Sequence, residues 1–498
     1  MSYKFTDLDA LLYWAAMPLI VLLGSSLILM MQSVSKKFAG QKAVALVSYT
    51  TMLIATLLSL VPSLAPGAIF LKGSYTTDGL AKFGQTAILL VSLITLVVLQ
   101  ASNYRKHFFR GDMAAIFFMT VSGMLIMVST KELISAFIGL ELASIGIYTM
   151  VGYVDPSRRS QEGAIKYLIL GSLAAALLLF GMALLYAATG SLYISEMTSR
   201  LAAVKNQELN VWAQFGLLFF VSGLAFKMAL VPFHMWAPDA YEAAPTPITA
   251  FMATSVKVMV LVFALRFAPA LGESIIGSYW APWFGALAVL SVLAANVMAL
   301  VQGSLKRMLA YSSVAHSGYM AFALCSFSAE GAKVSMSALL MYVAGYSIVS
   351  MGVFSIVTWL ETEHEQNLHL DDLNGLSKTH PWTAAALAAL MFGLAGLPPA
   401  SGFITKFFVF RAAIASDHFG LTIAGAVGSS IALFYYLRVI VRMYMTPNDE
   451  RALKLNSQKS YSIAAICVIS VVLMLALGTI LPSRVITMME RVSAQESH

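Results

Sequence analysis

The sequence predicts an all-α polytopic membrane protein of about fourteen transmembrane helices, built as two inverted five-helix repeats that each hold a discontinuous helix. Three observations predict it. Of 498 residues, 59% are hydrophobic and only 11% are charged, whereas a soluble domain carries roughly a quarter charged residues. Apolar runs of about 20 residues, the length needed to cross a hydrocarbon core of about 30 Å, recur from end to end. Two of these runs are broken by prolines close to a lysine. The runs are continuous, which excludes a transmembrane barrel with its short alternating segments.

Taken in order, the apolar runs fall at 11–32, 43–64, 79–101, 112–130, 132–153, 162–189, 210–231, 247–269, 281–302, 304–327, 332–360, 382–412, 420–445 and 461–482. The first ten residues, "MSYKFTDLDA", carry Asp7 and Asp9 and no basic segment. The first run is therefore expected to be a retained span and not a cleaved signal. The seventh run leads into "FKMALVPFHMWAPDAYEAAPTP", broken at Pro232. The twelfth, "LMFGLAGLPPASGFITKFFVF", is broken at Pro398 and Pro399 between Gly396 and Gly402. Proline removes a backbone donor and clashes with the preceding turn, so both segments should be broken helices. Paired breaks at corresponding places in two halves are the mark of an inverted-repeat transporter. A unit with an odd number of spans must enter the second time from the opposite face. The expected division is 1–111 for helices 1–3, 112–269 and 270–445 for the two repeats, and 446–498 for the last helix.

Orientation follows from the bias of Lys and Arg towards the cytoplasm. Loops after odd-numbered spans hold Lys36, Lys37, Arg105, Lys106, Arg158, Arg159, Arg307, Lys378, Arg451 and Lys454, among others. The opposite side holds a sparser set, including Lys4, Lys72, Lys131, Arg200 and Lys205. Odd loops are thus expected in the cytoplasm and both termini outside. The acidic loop 361–380 then faces the cytoplasm, as a solvated connector or as a docking strip for a partner subunit.

Net charge +7 and pI ≈ 9.2 do not imply nucleic acid, because the basic residues form no stripe. Cys325 and Cys467 lie in apolar runs without CxxC or Cys/His ligand spacing, so no disulfide, iron–sulfur cluster, haem or other metal site is expected. There is no phosphate-binding glycine loop, nucleophile elbow or dinucleotide fingerprint. No cofactor is expected in this chain.

The chemistry lies in charges placed inside the runs: Glu141 ("GLELASIGIY"), Lys227 ("LAFKMAL"), Lys257 ("ATSVKVMVLV") and Lys406 ("FITKFF"). Lys306 and His316 mark the polar start and middle of span ten, "SLKRMLAYSSVAHSGYM". A central ion costs about 2.5–3.5 kcal/mol on insertion scales, so three lysines cost on the order of 8–10 kcal/mol together. A carboxylate partner, buried water or carbonyls freed at helix breaks must offset that. Glu141 reads as the only central acid, which makes a Glu141–Lys227 ion pair the leading expectation. Such charges can merely clamp helices together. An acid, three lysines and a histidine also suit proton transfer, since burial lowers a lysine pKa and a nearby carboxylate raises it. Opening and closing a Glu–Lys pair then moves the lysine between proton-holding and proton-releasing states. His234 is open to quinone binding, to relay duty or to a satisfied structural role at the helix break, the last being preferred. For His316, relay and structural hydrogen bonding stand level. Trp280 and Trp283 read as interfacial anchors.

The runs "KMALVPFHMWAPDAYEAAPTPITAFMATSVKVMVLVFALR" and "GLPPASGFITKFFVF" resemble the signatures of the antiporter-like membrane subunits of respiratory complex I, the proton-pumping NADH–quinone oxidoreductase. The wording is closest to the subunit N branch, with Ala243 where glycine is usual. The subunit M branch typically has glutamate where Lys406 stands, and the long lateral helix that ends subunit L is not expected here. The resemblance implies that Glu141 and Lys227 are the family's span-five glutamate and span-seven lysine. It likewise implies that Lys257 connects the two halves, Lys306 belongs to the span-ten relay and Lys406 lies on the exit side. It implies a proton-translocating subunit, with quinone, FMN and iron–sulfur clusters handled by partner subunits, in a bacterial inner membrane. Two other readings stand beside it, an Mrp-type cation/proton antiporter subunit and a non-pumping structural subunit.

Overall fold

A computed structural model describes residues 7–34, 40–61, 69–70, 74–153, 157–203, 207–271, 277–327, 332–361, 367–447, 455, 460–482 and 487–490. Its helices are α1 (Asp7–Val34), α2 (Gln41–Leu60), α3 (Gly79–Ala101), α4 (Arg105–Phe108), α5 (Gly111–Val128), α6 (Leu133–Tyr153), α7 (Arg158–Thr189), α8 (Ile194–Ala203), α9 (Gln207–Met228) and α10 (Trp236–Ala243). They continue with α11 (Thr246–Leu271), α12 (Gly277–Leu300), α13 (Leu305–Cys325), α14 (Ala332–Leu360), α15 (Leu376–Thr379), α16 (Pro381–Ala395), α17 (Ser401–Ala415), α18 (Phe419–Met445) and α19 (Tyr461–Thr479). A short hairpin, β1 (Ile69–Phe70) with β2 (Tyr75–Thr76), precedes α3. Among the described residues, 12 helices are long and apolar enough to cross a membrane. The more polar α13 and the split α16–α17 pair complete the expected set of about fourteen spans. The helices α4, α8, α10 and α15 fall between the expected spans and were not foreseen.

Two isolated backbone bridges expose the internal repeat. Glu132, just before α6, pairs with Tyr193, and Ser304, just before α13, pairs with His369. In each case the start of one span is stitched to the connector that follows the next span. Both starts are also capped: Glu132 accepts from the Ile134 and Ser135 amides, and Ser304 from the Arg307 amide. The bridges lie at opposite ends of α11. Its first residue, Thr246, donates to Glu361 at 2.5 Å, and Glu361 pairs with Lys306 of α13. Near its other end Arg266 pairs with Asp78, which also holds Lys131, the residue before Glu132. Twenty residues of helix separate these contacts, about 30 Å at 1.5 Å per residue. The two five-span units are therefore inverted with respect to each other.

The window Thr246–Phe267 of α11 is 100% buried, and that of α14 is 89% buried, whereas α1 and α19 turn most of their surface outward at 22% and 28%. Lipid tails are as apolar as leucine, so this outward surface costs nothing in a bilayer. The centre, between α11, α13 and α14, is where polar side chains can be kept from lipid.

Two expectations are corrected here. Glu361 does not begin a solvated loop: it is 1% exposed and ion-paired. Residues 362–366 of that loop lie outside the described residues, as do Lys4, Lys36, Lys37, Lys72, Lys205, Arg451 and Lys454, which entered the orientation argument. Trp280 is no interfacial anchor, since it is buried and its indole N–H donates to Leu324 O at 2.9 Å.

Candidate functional site

Both discontinuous helices place a lysine within a few turns of the break. Helix α9 stops at Met228, where Ala229 turns left-handed (φ 58). The Ala229 amide returns to Phe226 O at 3.0 Å and the Leu230 amide to Ala225 O at 2.8 Å. The Trp236 indole then satisfies Phe226 O from the far side of the break at 2.9 Å. Lys227 sits in this last turn, where the helix dipole favours a cation. The second break follows the same physics by another route. Gly396 takes φ 83 at the end of α16, a conformation suited to glycine. Lys406, on the far side of the break in α17, reaches back to Ala395 O at 2.9 Å. Gly402 lets α17 approach closely, since a Cβ there would overlap Gly393 O. Pro232, Pro398 and Pro399 thus lie at breaks that position the lysines.

Lys227 is buried, and its ammonium donates to Ser144 Oγ at 2.7 Å and Tyr148 OH at 3.2 Å. The expected Glu141–Lys227 contact pair is absent among the described residues. Glu141, Ser144 and Tyr148 line one face of α6 at three- and four-residue spacing. The two hydroxyls, not the carboxylate, face the amine, and Glu141 Oε1 is buried without a partner among the described residues. Lys227 and Glu141 therefore stand as neighbours on a common polar stripe rather than as a closed pair.

Lys257, in the fully buried stretch Thr246–Phe267 of α11, donates to Ser313 O and to Ser313 Oγ, the latter at 2.6 Å. Its ammonium also lies 4.6 Å from the centre of the Tyr346 ring, a favourable cation–π placement. Tyr346 OH in turn donates to Ser313 Oγ at 3.0 Å. One turn along α13, His316 contacts Tyr342 OH through Nδ1 at 2.8 Å and Tyr436 OH through Nε2 at 3.2 Å. Tyr436 continues to Ser312. A further turn on, Tyr319 offers its ring to Lys406 at 4.9 Å. Lys306, at the start of α13, pairs with Glu361 at 3.0 Å. Helix α13 is thus a spine that carries Lys306, Ser313, His316 and Tyr319 past both central lysines. The bridge register, Glu132 against Ser304, sets Glu141 level with Ser313 and Ser144 level with His316. The second repeat replaces the acid by a hydroxyl and gains an imidazole.

Of the expected site residues, Lys257, His316, Lys406 and Lys306 gather around α13, while Lys227 and Glu141 form a separate cluster around α6. Neither Lys227 nor Lys257 bonds the other. His234 is buried at the first break, where its ring hydrogen-bonds the Pro232 backbone, and no side-chain partner of its Nδ1 is found among the described residues. Reading the sequence missed Glu361, Ser144, Tyr148, Ser313 and the tyrosines of α14. It also missed Asp78 and Arg266, each with a side chain 1% exposed and joined at 2.7 Å. The i, i+4 row Tyr342, Tyr346 and Ser350 on α14 was a usable signal. Chemically, the site offers buried amines, an imidazole and hydroxyls that accept and donate, which suits proton transfer between neighbours.

Residues 130–432 match the family described as NADH:quinone oxidoreductase/Mrp antiporter, TM. The chain is 35% identical to NADH-quinone oxidoreductase subunit N of Rhodospirillum rubrum over 451 residues, covering 89% of this chain and 90% of that one. It superposes on a chain of respiratory complex I from Thermus thermophilus with bound aureothin at a TM-score of 0.78, with 30% identity, over 94% of this chain and 98% of that one. A chain of the Mrp complex from Dietzia shares the fold, with a TM-score of 0.78 at 19% identity over 98% and 97% of the two chains. With its paired helix breaks and buried lysines, the chain belongs to the antiporter-like membrane subunit family of NADH–quinone oxidoreductase, in its subunit N branch.

Proposed function

We propose that this chain is the proton-translocating subunit N of an NADH–quinone oxidoreductase, moving protons through Glu141, Lys227, Lys257, Lys306, His316 and Lys406. The observation that carries the reading is the row of buried ionisable and hydroxyl groups along α13, together with two helix breaks that each hold a buried lysine. Electron transfer from NADH to quinone belongs to partner subunits, as do FMN and the iron–sulfur clusters, so this chain is a translocase subunit without a redox centre. Neighbouring antiporter-like subunits and the lipid bilayer are its other partners, and residues 112–269 and 270–445 are its two pumping units. It resides in the bacterial inner membrane.

Two measurements test this reading. Purification of the native complex should bring down flavin- and iron–sulfur-bearing proteins. Recovery instead with small antiporter subunits, together with sodium-dependent activity, would assign it to the Mrp type. Reporter fusions should place both termini on the outer side, and a cytoplasmic carboxyl terminus would reverse the orientation.

A further inference from the structure

We propose that Glu361 is a proton-carrying acid of this relay, taking protons from a polar cavity beside Lys306 and passing them towards Lys257. The inference rests on the pumping role proposed above. Glu361 closes α14 and is fully enclosed. One of its oxygens, Oε1, receives both Lys306 Nζ at 3.0 Å and Thr246 Oγ1 at 2.5 Å. Its other oxygen, Oε2, is buried with no partner among the described residues. An orphaned carboxylate oxygen in the interior is costly unless it is used. Among the described residues nothing in the packing requires it, since Oε1 alone makes the ion pair.

The surroundings show a use. Lys306 lines a polar cavity of about 20 Å³ with Tyr104, Ser157, Arg159, Glu242 and Asn367, room for about one water. Arg159 is half exposed and bridges to the buried Glu242, so charge runs from the surface to the cavity wall. On the inner side, Glu361 ends the face of α14 that carries Tyr342, Tyr346 and Ser350. A second, smaller cavity of about 10 Å³ lies between these levels, lined by Leu309, Ser312, Tyr346 and Ser350. Lys306 and Ser313 are two turns apart on α13, about 10 Å along its axis. One bridging water at each level turns that gap into short steps.

The transfer balances as follows. Hydronium in the outer cavity gives one proton to the Glu361 carboxylate and becomes water. The neutral acid loosens its hold on the Lys306 ammonium. The proton then leaves Glu361 for the neutral amine of Lys257 by way of water and Ser313, and the carboxylate re-forms its pair with Lys306.

The test uses the assembled complex in sealed vesicles, with proton uptake per electron pair normalised to assembled enzyme. Glu361→Gln keeps the shape and removes the exchangeable acid. Uptake should fall on the order of tenfold or more, since a positioned acid or base contributes about 10² or more to its step. Glu361→Asp should restore most of it. Full uptake in Glu361→Gln would overturn the proposal, as would equal loss in both variants. If Glu361→Gln does not assemble, Glu361→Asp decides: pumping above half of normal supports the proposal, and none overturns it. Lys227→Ala runs alongside. Should it also pump normally, the relay as a whole fails; should only Glu361→Gln pump normally, this inference fails alone.

Discussion

Replacing Lys227 or Lys406 by alanine is expected to reduce proton uptake by the assembled complex on the order of tenfold or more, with assembly retained. Each amine is buried beside its helix break. Lys227 meets Ser144 and Tyr148 hydroxyls, and Lys406 meets Ala395 O. These partners orient an amine without replacing it, because a serine hydroxyl neither holds nor releases a full proton near neutral pH. Truncation removes one buried charge of about 2.5–3.5 kcal/mol insertion cost, so the fold should tolerate the loss. Proton uptake measured beside native-gel assembly separates the outcomes. Normal pumping in both alanine variants would assign the chain to a structural role.

Replacing Asp78 by asparagine is expected to destabilise the chain by about 3–5 kcal/mol, the usual result of stranding one partner of a buried pair. Asp78 takes both terminal nitrogens of Arg266, at 2.7 and 3.0 Å, together with Lys131 at 3.2 Å and the Ala81 amide at 2.8 Å. Arg266 also donates to Val128 O at 2.8 Å, so the pair ties α3, α5 and α11 together at one membrane face. Burial raises the Asp78 carboxyl pKa, but the Arg266 charge and hydrogen bonds, then Lys131, outweigh it and hold the group well below the usual carboxylate range. A depressed carboxylate stabilises above its unfolded pKa and loses that contribution as pH falls through the folded one. The Asp78 contribution should therefore be constant from neutral pH down to about pH 4 and fade only below that. Thermal unfolding of the purified complex at several pH values checks both statements. A variant as stable as the parent would show the pair to be dispensable.

The contrast between these two sites shows what a linear reading can reach. Lys227, Lys257 and Lys406 stood out because each interrupts an apolar run, and Pro232 and Pro398 stood out because proline cannot continue a helix. The span limits followed closely, with α3 falling on 79–101 as expected. Glu361 stayed hidden because it opens an acidic segment, where burial leaves no trace in composition. The Asp78–Arg266 pair joins residues 188 positions apart, beyond any local pattern. Glu141 was read as the partner of Lys227 because it was the only acid in view. Ser144 and Tyr148 carry no charge, so nothing in the sequence announced that they would meet the amine. The repeat itself was legible from the spacing of the breaks, whereas its register needed the bridges at Glu132 and Ser304.

The central claim is that buried amines alternate between charged and neutral forms, and arginine tests it most directly. A guanidinium keeps the positive charge but cannot release its proton within a protein. In sealed vesicles holding the assembled complex, Lys227→Arg and Lys406→Arg should each block proton uptake as fully as alanine does. Pumping sustained by either arginine variant would mean that a fixed positive charge suffices there, and that the amine never gives up its proton.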